Sequence, residues 1–149
     1  MEHPKFGPQV IDGDGAVLGR MASRVAKRLL MGEHIVIVNS EKVVLTGEPA
    51  MVKELYAIRR DKGDRMKGPF YPKYPDMILK RAIKGMLPFK KPRGVAALKN
   101  LRVYIGTPHD VTGKAEKYSK QSTDLTCKYQ TLGDVCAALG AKSERWKGL

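Results

Sequence analysis

The sequence predicts an α/β fold, and three consecutive stretches carry that prediction. "QVID", Gln9 to Asp12, is a short strand candidate that ends in the turn-rich "DGDG". A helix is expected from about Val17 to Met31, stopped by Gly32. At 100° per residue, Leu18, Met21, Ala22, Val25, Leu29 and Leu30 share one face of it, and Arg20, Arg24, Lys27 and Arg28 share the other. "HIVIVN", His34 to Asn39, is a continuous apolar, β-branched run, the pattern of a buried strand. Strand, helix and strand in that order read as a right-handed βαβ unit.

The later elements follow the same rules. "KVVLTG" is a further short extended run, and Pro49 opens a helix to about Arg60. Residues 61–75, "DKGDRMKGPFYPKYP", hold prolines and glycines that break both helix and strand ladders, so they form a loop in which cations and aromatic rings alternate. A helix from Pro75 to Leu87 is expected to bury Ile78, Leu79, Ala82, Ile83 and Met86 and to expose Lys80, Arg81 and Lys84. A short helix around Val95 to Asn100 leads into "RVYIG", Arg102 to Gly106, expected as a central strand. In "TLGDVCAALG", Thr131 and Asp134 resemble a capping box and Gly140 fits a C-terminal stop. No internal repeat or linker divides the 149 residues, so one domain is expected. Its core spans about 9–108, with 107–130 as an extended loop and 131–149 as a helix and tail.

Charge is the strongest global signal. The chain carries a net +13, and the excess is uneven: residues 1–75 hold 13 cations and 9 acids, residues 76–149 hold 15 and 6. From Met77 to His109 there is no Asp or Glu, yet eight Lys and Arg fall in that window. Cations packed this densely without counter-ions repel one another and attract a polyanion. A nucleic acid fits that demand better than a membrane surface, because the basic helices need their apolar faces for the core.

Enzymatic readings fare worse. Gly13, Gly15 and Gly19 follow a strand and precede a helix, imitating a dinucleotide-binding turn with Glu41 as the ribose acceptor. The spacing is G-x-G-x-x-x-G, however, and Asp12 and Asp14 flank the first glycine, where they would oppose a pyrophosphate. The His109–Asp110 pair lacks a third catalytic member. Cys127 and Cys136 match no zinc spacing and are expected as reduced thiols. No cofactor, metal or small-molecule substrate is expected. "MEHPKFGPQ" lacks the apolar run of a signal peptide, and no segment reaches transmembrane length, so a cytosolic location is expected.

The motifs resemble a known family. Ile83-Lys84-Gly85-Met86-Leu87-Pro88, then Gly94, then Leu101-Arg102-Val103-Tyr104 look like the signature of the universal large-subunit ribosomal protein thirteen family. "LGRMASRVAKRLLMG" and "VIVNSEKVVLTG" resemble its first helix and second strand, and the likeness runs from about Val10 to Pro108. The short Gly32-Glu33 connection resembles the archaeal and cytosolic eukaryotic branch. This resemblance implies a three-layer α/β/α fold around a mostly parallel four-stranded sheet. It also implies a non-catalytic protein of the large ribosomal subunit that binds large-subunit rRNA, neighbours other ribosomal proteins and joins early in assembly.

The candidate RNA-binding residues fall in four groups. On the first helix they are Arg20, Arg24, Lys27 and Arg28. Around the central loop they are Arg59, Arg60, Lys62, Arg65, Lys67, Phe70, Tyr71, Lys73 and Tyr74. On the next helix they are Lys80, Arg81, Lys84 and Gly85, and beyond it Phe89, Lys90, Lys91, Arg93 and His109. Pro88 is expected to set an extended path along which Lys90, Lys91 and Arg93 follow an RNA backbone. Gly85 would let that backbone approach closely. The four rings are candidates for stacking on unpaired bases.

Overall fold

The computed structural model describes residues 9–109, 111, 115–117 and 125–146. The predicted βαβ unit is present. β1 (Gln9–Asp12) and β2 (Ile35–Val38) run parallel in register, Ile11 opposite Ile37, joined by α1 (Leu18–Leu30). α1 ends in paired backbone bonds, Gly32 N–H to Leu29 O and Glu33 N–H to Arg28 O. That closure needs the left-handed φ of +91° that Gly32 supplies.

After a 3-10 turn, Ser40–Lys42, come β3 (Val44–Thr46), α2 (Pro49–Asp61), α3 (Pro75–Met86) and α4 (Pro92–Lys99). β4 (Leu101–Val103), β5 (Glu116–Lys117), β6 (Tyr129–Thr131) and α5 (Leu132–Ala138) follow, and a 3-10 turn, Ser143–Arg145, ends the described elements. The main sheet is parallel throughout, in the order β4-β2-β1-β5. β3 and β6 form a separate antiparallel pair.

Alternation along the strands puts Ile11, Ile35, Ile37 and Leu101 on one sheet face, each at most 1% exposed. They share one apolar cluster with Met21, Ala22, Val25 and Leu29 of α1, with Ile78, Leu79 and Ile83 of α3, and with Ala97 of α4. Thr131 Oγ1 accepts the Asp134 amide at 3.2 Å, so the predicted α5 cap is real.

Four expectations are corrected. "RVYIG" is not central: its strand, β4, pairs with β2 alone and lies at the sheet edge. α4 starts at Pro92 rather than Val95, because proline at the first helical position loses no bond. The path after Pro88 is therefore a tight turn, with Phe89 N–H on Leu87 O and Lys91 N–H on Pro88 O, and Arg93 stands on α4 itself. Met86 is 45% exposed, since Leu87, just past the helix, takes the buried position.

Candidate nucleic-acid interface

The eight cations between Met77 and His109 are Lys80, Arg81, Lys84, Lys90, Lys91, Arg93, Lys99 and Arg102, and all are exposed. Among the described residues none of them forms an ion pair with a carboxylate, and the pairs belong to Arg28, Arg60 and Lys128. The cations of the acid-free window thus stay exposed on folding, with Asp76 of α3 bordering them beside Lys80 and Arg102. Its geometry follows from α3, whose Ile78, Leu79 and Ile83 point inward and so turn Lys80, Arg81 and Lys84 out.

Packing around this helix fixes several of the aromatic rings. The Arg81 guanidinium lies over the Tyr71 ring at 4.6 Å and donates to Phe70 O at 3.1 Å. Tyr71 meets Tyr56 of α2 edge-on at 5.9 Å, and Arg59 covers Tyr56 at 5.3 Å. Tyr74 carries Arg145 at 4.6 Å and Lys73 at 5.8 Å. Tyr71 and Tyr74 are half-buried against the core. Cation–π contacts of this kind hold the loop 62–74 against the helices. Phe70 stands out, at 71% exposure, and Phe89 is 45% exposed with Lys84 over its ring at 5.5 Å.

The remaining predicted residues divide by what holds them. Arg20, Arg24 and Lys27 lie on the exposed face of α1. Arg28 does not join them: it is half-buried and bonds Gln9 Oε1 at 2.7 Å, Glu33 at 2.7 Å and Glu116 at 2.9 Å. Burial alone would lower its guanidinium, but bonds and charge from Glu33 and Glu116 outweigh that and hold it above its ordinary value. Arg60 donates to Leu139 O and pairs with Asp61 at 3.6 Å. Lys62, Arg65, Lys67 and Lys73 are exposed on the loop, and His109 is exposed after β4. Arg93 reaches Leu30 O at 3.4 Å, tying the start of α4 to the end of α1.

Gly85 has open space where a Cβ would stand. The close approach occurs at Gly94 instead, where a Cβ would sit 2.2 Å from Pro88 O. Lys99 and Arg102 were not among the sequence candidates, yet they line hollows that Lys80 also lines. Their signal was the acid-free window itself, which includes both.

The glycine turn after β1 is occupied by its own backbone. Gly13 N–H donates to Val38 O at 2.9 Å and Gly15 N–H to Lys42 O at 3.3 Å, so these amides do not face a phosphate. Glu41 is 4% exposed and accepts the Gly106 amide at 3.0 Å, rather than waiting for a ribose. Cys136 is buried, which, with Asp76 nearby, pushes its thiol up to about 12, whereas Cys127 is exposed.

Against this geometry, comparison with known proteins decides the family. The Ribosomal protein L13 family matches residues 8–110. The chain belongs to that family. It is 46% identical over 135 residues to the large ribosomal subunit protein uL13 of Archaeoglobus fulgidus, covering 88% of this chain and 86% of that one. It is 48% identical over 137 residues to the uL13 of Methanocaldococcus jannaschii, covering 89% and 98%. With the uL13 of Natronomonas pharaonis it shares 44% over 144 residues, covering 95% and 97%. The family resemblance and its archaeal character are as the motifs implied. Among the described residues no helix is long and apolar enough to cross a membrane.

Proposed function

We propose that the chain works as a structural, non-enzymatic protein of the large ribosomal subunit, neutralising and bridging rRNA segments through the surface built on α3 and α4. Family membership and relatives named as large-subunit proteins support the first part. One observation carries the second: eight exposed cations lie in a window without an acid, and among the described residues none pairs with a carboxylate. Such a surface draws phosphate, and Lys serves it as a point charge while Arg forks onto its oxygens.

The phosphate-binding surface is centred on Lys80, Lys84, Lys90 and Lys91, joined by Arg93, Lys99 and Arg102, with loop cations Lys62, Arg65, Lys67 and Lys73 at one side. Arg20, Arg24 and Lys27 offer a second patch, on α1. Two cationic patches on one rigid body suit a bridge between RNA segments, and so a part in subunit assembly alongside neighbouring ribosomal proteins. Arg28 takes no part, because its charge is already matched.

Sedimentation of a cell lysate through a sucrose gradient tests the assignment: the protein should run almost wholly with large subunits. Recovery mainly in the free fraction would contradict it. In vitro, binding to large-subunit rRNA should weaken with salt, at a log–log slope of roughly −4 to −5 if about six phosphates are bound.

A further inference from the structure

Beside α3 lies an open groove of about 670 Å³ whose lining includes Phe70, Met77 and Leu98 with Lys80, Arg81 and Lys84. Its composition is unusual for a surface that meets only phosphate. Phe70 is 71% exposed and Met77 55%, so two large apolar side chains face water within a cationic rim. We propose that this groove receives one unpaired RNA base, stacked on Phe70 against Met77 and Leu98, with its flanking phosphates on Lys80 and Lys84. The proposal rests on the RNA-binding reading above and names the form of RNA that the site takes.

Three observations carry it. The first is size: the groove is open, and its volume is of the order that a single base fills. The second is preorganisation. Arg81 is fixed by the Tyr71 ring at 4.6 Å and by Phe70 O at 3.1 Å, so one wall stands ready without RNA, while the Phe70 ring stays open to solvent. The third is continuity of charge. A smaller hollow of about 450 Å³ shares Lys80 with the groove and carries Lys99 and Arg102, whereas another, of about 260 Å³, sets Asp76 beside Lys80 and Arg102. The former gives the strand leaving the base a cationic path.

A paired helix laid over the same rim would reach the lysines and leave Phe70 and Met77 wet. An apolar segment of a neighbouring protein would cover Phe70 and Met77, but would leave the cations unmatched. A base with its own phosphates satisfies both halves of the groove; an apolar segment carrying acids would do so too, and equal affinity for the two hairpins below would favour it. Stacking of this kind is tolerant of sequence, because every base has a π-face.

The test uses the full chain and two hairpin RNAs that differ only by one extruded 2-aminopurine nucleotide. The bulged hairpin should bind about 5- to 100-fold tighter, the range that loss of one stacked base spans. Its 2-aminopurine fluorescence should fall on binding. Phe70→Ala should abolish both the preference and the quenching, and Phe70→Trp should keep them; as Phe70 is exposed, neither change threatens the fold. Equal affinity for the two hairpins, or a preference untouched by Phe70→Ala, overturns the groove proposal while salt-dependent binding keeps the RNA reading intact. Absence of binding to either hairpin and to large-subunit rRNA overturns both.

Discussion

Helix α1 packs Met21, Ala22, Val25 and Leu29 inward, and α3 packs Ile78, Leu79 and Ile83 into the same core. Both put cations on the opposite side, yet they treat those cations differently. On α1, Arg28 is half-buried and is answered by Glu33, Gln9 and the distant Glu116. On α3, Arg81 and Lys84 meet rings, and Arg81 a backbone carbonyl as well. Among the described residues none of Lys80, Arg81 and Lys84 forms an ion pair, although Asp76 shares a hollow with Lys80. An amphipathic pattern sets which way a charge points; the acids brought up by the rest of the fold set whether it is available. On the reading proposed above, the α3–α4 side is left for an external anion.

The largest way to break this comparison is to reverse the unmatched charges. Lys80→Glu, Lys84→Glu and Lys90→Glu together should weaken binding to large-subunit rRNA by at least about 100-fold. The melting temperature should hardly move, because all three are exposed. A matched triple change at the exposed Lys42, Lys53 and Lys142 should cost far less. Equal losses in filter binding would show that charge, and not its placement, is what matters.

Next in size is the turn that presents Lys90 and Lys91. Gly94→Ala would force a methyl to within 2.2 Å of Pro88 O, so the turn must open. A loss of about 2–4 kcal/mol in urea unfolding is expected, as for other backbone clashes in packed sites. Stability equal to wild type would mean that the turn is loose.

Smaller again, and opposite in kind, is Arg28→Ala. It leaves Glu33 and Glu116 without their partner and should cost about 1–2 kcal/mol of stability. RNA affinity should stay within about twofold, the reverse of the α3 triple change. Last, Gly85→Ala fills open space in a helix and should stabilise the free protein by about 0.5–1 kcal/mol. If RNA backbone approaches α3 at that point, the same variant binds RNA more weakly. Calorimetry and binding on one preparation read both effects.

What the sequence disclosed and what it hid follow from range. The α1 and α3 faces, the Gly32 stop and the Thr131 cap depend on neighbours within a turn or two, so periodicity and local chemistry reveal them. The acid-free window is a property of the chain itself and needed no fold. Arg28 is the counterexample: Glu116 lies 88 residues away, beyond any local rule. The same holds for Tyr71 and Tyr74, whose rings carry Arg81 and the distant Arg145, contacts that no local rule gives. Lys99 and Arg102 join the α3 surface because β4 lies at the sheet edge, a placement that the strand's own composition could not give. Met86 looked buried by angle alone and was displaced by Leu87, which the helix end brings inward.

The most direct test of the central claim is the salt dependence of rRNA binding, measured for the wild type and for a charge-neutral triple variant, Lys80→Gln, Lys84→Gln and Lys90→Gln. Each phosphate that the variant no longer neutralises should make the log–log slope shallower by about 0.7–0.9, so the two proteins should differ by about two to three. An unchanged slope would mean that these lysines hold no phosphate, and that the exposed cations of α3 and the turn after it serve something other than RNA.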